Sequence, residues 1–317
     1  MWKKVVLSIS LIILFLLPAF SWSAHREMTE IILKDLDWLK NYKYITVTAY
    51  TYHDTSPYNP SYIIPYRGEK IGDKIDAVTI ISRYVTEPDM GMDDNINLNS
   101  MQKLTGGSSG WRHQYYILFG GTLKLGEAPK RIIHFWNLAK EAFQKNDYYW
   151  GFRFFAYSLH YLQDLTQPFH AYPMPLGNAI GNIFNLDKLI AQGENHHYTL
   201  EDYQEWQIIN NNPIYIQTLK KAKPYKVENP EEAGIKAAWE ARKDAGKLWE
   251  IQSKYFPGIN DNKNYKAPKE LFSKPSQLKE EYDKIILRNL ENCAGWTKGY
   301  LEFLKIFLDK LNEVSDK

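Results

Sequence analysis

The stretch His160-Tyr161-Leu162-Gln163-Asp164-Leu165-Thr166-Gln167-Pro168-Phe169-His170 decides how this chain is read. Residues four apart in a helix stack on one face, so His160 and Asp164 present an imidazole and a carboxylate to the same spot. Pro168 is expected to end that helix, letting His170 turn back toward the same cavity. Further along, Asn195-His196-His197 reads as the start of another helix, on which His197 and Glu201 repeat the spacing. One such pair is commonly only a polar surface pair. Two pairs, with a third histidine after a proline, are flanked here by Phe154, Phe155, Leu159, Tyr161, Leu162 and Phe169. Burying those polar groups in apolar surroundings would be costly without a compensating ion. Neutral imidazoles combined with carboxylates suit zinc.

Outward from this stretch the chain reads as mainly helical. His25, Met28, Ile32, Leu36 and Leu39 recur at spacings of three and four, the mark of one apolar helix face. Tyr44–Tyr66 is rich in Tyr, Thr, Ile and Pro, which predicts short strands and turns. Glu87–Trp111, dominated by Gly, Asp, Asn and Ser, reads as an ordered loop. Helical stripes then run through Ile132, Phe135, Trp136, Ala139 and Phe143, and through Phe152, Phe155, Ala156 and Leu159, separated by a polar break at Lys145–Asp147. Further helices are expected at Glu231–Ser253 and Gln277–Leu311, with loops at Pro224–Pro230 and Phe256–Pro275. The pattern predicts an all-α fold, a single helical domain with an irregular Tyr-rich insertion.

At the amino terminus, Lys3 and Lys4 precede an apolar run from Val5 to Leu17, closed by Pro18, Ala19, Phe20 and Ser21. The run is shorter than the roughly 20 residues a membrane span needs, and the small residues fit a signal-peptidase site after Ser21. Residues 1–21 are therefore expected to be a signal peptide, and residues 22–317 an exported catalytic domain, secreted or periplasmic. Cleavage would make Trp22 the new amino terminus. The 39 basic and 37 acidic residues of the chain become equal in number once Lys3 and Lys4 are removed. A formally neutral protein has no broad attraction for a polyanion. Cys293 is the single cysteine, which excludes an internal disulfide.

His160–Ala171 (HYLQDLTQPFHA) resembles the H-Y-L-G-D-x-x-Q-P-x-H-A motif of the bacterial zinc-dependent phospholipases C, a family related to the fungal zinc-dependent single-strand nucleases. The likeness continues upstream through Lys140–Leu159 and returns around Ala294–Phe307. It implies the helical fold of that family and a site holding three zinc ions. By this resemblance Asp89, His113, His160 and Asp164 hold one ion. Asp164 bridges to a second, bound by His25 and by the amino nitrogen and carbonyl oxygen of Trp22. His170, His197 and Glu201 hold the third. The gap from Asp89 to His113 is longer than in the family, so Asp93 and Asp94 stay open as alternatives to Asp89. Close cations lower the pKa of a shared water and neutralise phosphoryl oxygens, and Asp89 is the candidate to orient the nucleophile.

The implied reaction is hydrolysis of a glycerophospholipid, at a membrane or micelle surface, to diacylglycerol and a phosphorylated headgroup by a monomeric enzyme. A single-strand nuclease or nucleotidase using the same site is the alternative. Nucleic acid is the less favoured substrate: Glu201 stands where those nucleases usually carry Asp, and they contain disulfides. The positions that supply choline-binding aromatic and acidic side chains in the best-known phospholipases hold Met90, Gly110 and His25 here. Tyr50, Tyr52, Tyr58, Tyr62 and Tyr66 are read as packing the insertion. His53, His134 and His196 are left out of the ligand set.

Overall fold

The computed structural model describes residues 24–175, 177–178, 185–261 and 263–315. Its helices in chain order are α1 (His25–Leu33), α2 (Ala77–Tyr84), α3 (Gly107–His113), α4 (Ala128–Gln144), α5 (Tyr148–Asp164), α6 (Pro168–Ala171), α7 (Leu186–Ile209), α8 (Pro213–Lys221), α9 (Pro230–Tyr255) and α10 (Gln277–Ser315). Among the described residues strand is confined to two antiparallel pairs: β1 (Ile45–Thr46) with β2 (Lys74–Ile75), and β3 (Tyr116–Leu118) with β4 (Leu123–Leu125). The fold is all-α, as the periodicity predicts.

The assembly is organised around α5. Asp147 caps it by accepting a hydrogen bond from the Trp150 amide, and every side chain from Tyr149 to Asp164 is buried. A helix buried around its whole circumference, mostly apolar but carrying Arg153, His160, Gln163 and Asp164, requires a shell on every side. That shell is α2, α4, α9 and α10, with α4 packed antiparallel to α5 across the short Lys145–Asp147 break. α10 has 39 residues, about 58 Å at 1.5 Å rise per residue, and carries Leu290, Cys293, Ala294, Tyr300 and Leu304 into the core. The buried apolar residues from Ala24 to Leu308 form one continuous cluster. Among the described residues no helix is long and apolar enough to cross a membrane.

Several local expectations are corrected. The first helix stops at Leu33 rather than running to Leu39; Leu36 leaves helical geometry, and Leu39 enters the core from the separate 3-10 turn Asp37–Asn41. Pro168 does not end α5, which closes at Asp164. It begins the short α6, with Gln167 capping the Phe169 amide; the first helical position has no amide obligation, so proline fits there. The segment read as a loop before Trp111 contains a helix, α3, entered through the left-handed Gly106. α7 starts at Leu186, earlier than Asn195, because Asn185 caps the Lys188 amide. The Tyr-rich segment contributes only the two residues of β1 and is otherwise irregular. Residues 1–21 and Trp22 lie outside the described residues.

Candidate metal centre

Six elements bring the chemistry together. His25 begins α1, His113 ends α3, His160 and Asp164 occupy the last turns of α5, and His170 sits on α6. Asp89 closes a 3-10 turn over residues Glu87–Asp89, and α7 supplies His197 and Glu201. Among the described residues, three groups place all their ligating atoms within 4.8 Å of one another: His25, His160 and Asp164; Asp89, His113 and His160; and His170, His197 and Glu201.

In the second group the Asp89 Oδ1 atom lies 3.3 Å from His113 Nδ1 and 3.3 Å from His160 Nε2. The two imidazole nitrogens face each other at 3.0 Å. Asp164 joins the first two groups. Its Oδ2 is 3.0 Å from His113 Nδ1 and 3.2 Å from His160 Nε2, while its Oδ1 is 3.2 Å from His25 Nε2. In the third group the His170 and His197 Nε2 atoms face each other at 3.0 Å, and Glu201 Oε1 is 2.9 Å from His197 Nε2. The four histidines His25, His113, His160 and His170 are fully buried, as is Asp164.

This donor set fits zinc. With metal–donor bonds of about 2.0–2.1 Å, two ligands of a tetrahedral ion stand roughly 3.3 Å apart, close to the separations between these nitrogens and carboxylate oxygens. The buried Asp89 Oδ2 has no hydrogen-bond partner, so a lone pair is left there for an ion or for a water beside one to satisfy. The electrostatics agree. Burial alone pulls down the pKa of His160, but Asp89 and Asp164 outweigh it and lift the ring to about 10. His113 is likewise lowered by burial but raised overall to about 9 through Asp164 and Asp93. Glu201 is pushed up to about 8, mainly by burial, and burial lowers His197 to about 4. Without an ion, the carboxylates keep protons on His113 and His160 that a metal would displace.

Outer contacts fix the rings. His25 Nδ1 donates to Gln163 Oε1 at 2.7 Å, and the Gln163 amide nitrogen is tied to Thr29 and Thr297. His170 Nδ1 donates to the His113 carbonyl at 3.0 Å, and the Tyr115 amide returns a bond to the His170 carbonyl. These contacts leave the opposite ring nitrogens turned into the groups. Gln163 lies in the motif one residue from Asp164, about 100° round α5, and that position is the sequence signal for its role beside the ligands.

Of the acidic alternatives, Asp89 lies in the groups, Asp93 is buried behind His113 on its Nε2 side, and Asp94 is exposed. The remaining histidines lie elsewhere. His196 stacks on Trp249 at 3.7 Å and bonds Gln252 and Asn260, His134 pairs with Asp54, and His53 is exposed. Tyr52 is buried, and Tyr50, Tyr58, Tyr62 and Tyr66 are half-buried against the core.

No protein-family model and no curated protein sequence matches the chain. Among solved structures, an alpha toxin from Clostridium absonum superposes with a TM-score of 0.38 at 16% identity, over 74% of this chain and 55% of the toxin. The alpha-toxin of an avian strain of Clostridium perfringens gives 0.34 at 17% identity, over 76% of this chain and 55% of the toxin. The chain thus spans about half the length of these structures. At that likeness they assign no role to any residue here; the site rests on its own geometry.

Proposed function

We propose that this chain is an exported, zinc-dependent phosphodiesterase of the phospholipase C type, releasing a phosphorylated headgroup from glycerophospholipids. The observation that carries the reading is Asp164, whose two carboxylate oxygens are shared between buried histidines reaching it from α1, α3 and α5. Asp89, His113, His160 and Asp164 would hold one ion, and His170, His197 and Glu201 another. A third would be held by His25 and Asp164, completed by the amino group and carbonyl of Trp22 once residues 1–21 are removed.

When bound, zinc supplies Lewis acidity toward water and phosphoryl oxygens. The chain itself does three things. Asp89, with Oδ2 uncommitted, accepts a proton from the attacking water and orients it. The outer contacts from Gln163 and the His113 carbonyl hold the histidine rings in fixed tautomers. The buried walls of α5 exclude competing water, which strengthens every charge interaction within. A phosphodiester needs little covalent help, so positioning and charge neutralisation are sufficient.

The test is to express the full chain for export, identify its new amino terminus, count zinc per chain, and supply mixed phospholipid vesicles and single-stranded DNA to one preparation. Three zinc ions, Trp22 at the terminus and release of water-soluble phosphate esters from the vesicles are expected. A zinc-loaded protein that leaves the vesicles intact would overturn the phospholipase reading, and cleavage of the DNA alone would replace it with a nuclease.

A further inference from the structure

We infer that Asp93 is a positioning residue for the metal centre and that the Tyr-rich insertion is its outer wall. This rests on the reading that Asp89, His113 and His160 hold an ion. His113 presents Nδ1 to Asp89, His160 and Asp164, and its other nitrogen, Nε2, lies 3.2 Å from Asp93 Oδ2. An ionised carboxylate only accepts hydrogen bonds. The approach is an ion-pair distance and not an aligned hydrogen bond; the Asp93 charge beside Nε2 favours the proton on that nitrogen and leaves the Nδ1 lone pair for the ion, the way a second carboxylate polarises a ligating histidine.

Asp93 is itself held from several sides. Arg112 Nη1 donates to Oδ1 at 2.5 Å, the Tyr161 hydroxyl donates to Oδ2 at 2.5 Å, and Arg131 Nη2 lies 3.7 Å from Oδ1. Two buried guanidiniums beside one fully buried carboxylate supply the counter-charge that such a group requires. Both arginines are in turn aimed by the insertion. The Ser56 hydroxyl accepts from Arg112 Nη2 at 2.9 Å and from Arg131 Nη1 at 2.6 Å, and the Pro57 carbonyl accepts from Arg112 Nη1 at 2.8 Å. Hydrogen bonds run from Ser56 through Arg112 to Asp93, with Arg131 alongside, and Asp93 in turn faces His113. An irregular segment far from the ligands in sequence thereby sets the direction of one of them.

The experiment compares wild type, Asp93→Asn, Ser56→Ala, Tyr161→Phe and, as a control, Asp94→Asn. Each is loaded with zinc and with cobalt, and each metal-free form is melted to check its fold. Asp93→Asn is expected to weaken one ion by about 10–100-fold in chelator competition, leaving the others in place and changing the visible cobalt spectrum. Ser56→Ala and Tyr161→Phe should shift affinity in the same direction by less, and Asp94→Asn should match wild type. In a His113→Ala background, Asp93→Asn should add no further loss, because a residue acting through another is silent once that partner is gone. Wild-type metal affinity and cobalt spectrum in Asp93→Asn, or in Tyr161→Phe should the former not fold, would overturn the inference and leave the proposed function standing. A wild-type protein that takes up no metal would overturn both.

Discussion

Arg153 and Glu87 form a fully buried, two-pronged ion pair: the guanidinium Nε donates to Oε2 at 3.0 Å and Nη2 donates to Oε1 at 2.7 Å. Glu87 opens the turn that ends at Asp89, and Arg153 lies on α5 two turns before His160. The pair therefore clamps the Asp89 turn to the helix that carries His160 and Asp164. Tyr62 and Tyr157 also donate to Glu87. Breaking such a pair by removing one partner strands a buried charge and costs about 3–5 kcal/mol. Glu87→Ala should lose that much stability in urea unfolding, whereas the double variant Glu87→Leu, Arg153→Met should lose less than Glu87→Ala alone. A double variant as destabilised as Glu87→Ala, or more so, would show that the charges themselves stabilise the fold.

Asp164 and Glu201 should separate the groups. Asp164 reaches the histidines of the first two, while Glu201 belongs to the third with His170 and His197. Asp164→Asn should bring the zinc count down by two and leave one ion, with the proposed phosphodiesterase activity falling about 100–1,000-fold, on the order of what loss of a principal charge-stabilising group costs. Glu201→Gln should remove a single ion. Equal metal losses from the two variants would contradict a centre in which one carboxylate is shared and the other is not.

The helical class was legible because α4 and α5 each carry an apolar stripe at helical spacing, a signal that is local and survives folding. His160 with Asp164, and His197 with Glu201, were legible for the same reason, since a four-residue spacing on one helix fixes which side chains meet. What could not be read depended on contacts distant in sequence. Asp89, Asp93 and Asp94 lie in one acidic loop, and Arg112, Arg131 and Tyr161, arriving from α3, α4 and α5, draw Asp93 behind His113. α3 is written in Gly and Ser, which carry no helical periodicity, and is held by its setting: Ser108 bonds the Asp93 carbonyl and the Ile96 amide. Pro168 was misread because a proline that breaks one helix and a proline that begins the next look alike until the capping Gln167 is seen in place.

Gly126 and Gly72 provide a matched test of close approach near the site. Both have positive φ, +111° and +94°, so alanine is strained at either position. A Cβ at Gly72 meets nothing within 4 Å, whereas one at Gly126 would lie 1.9 Å from the carbonyl oxygen of Gln114, the residue after His113. Gly72→Ala should cost about 1–2 kcal/mol from backbone strain. Gly126→Ala should cost about 3–5 kcal/mol, since the Gln114 backbone must also move, and it should weaken zinc binding through His113. Equal stabilities of the two variants in denaturant titration would mean that the β4–α4 turn yields without disturbing Gln114.

Metal binding should release protons, and the sign follows from the groups involved. Burial lowers the pKa of both His113 and His160, but the surrounding carboxylates raise them overall to about 9 and about 10, so at pH 7 the metal-free rings hold protons on nitrogens that an ion needs. Glu201, raised to about 8 chiefly by burial, is also protonated at that pH. An incoming zinc ion must displace these protons, so affinity rises with pH up to those values and falls as the solution is acidified, by about tenfold per pH unit for each proton displaced. Calorimetric titration of zinc into chelator-treated protein at pH 7, in buffers of different ionisation enthalpy, reads the number directly. More than one proton released per chain is expected. A binding heat independent of the buffer would mean that the carboxylates do not hold those protons, and that the imidazoles are already neutral before the metal arrives.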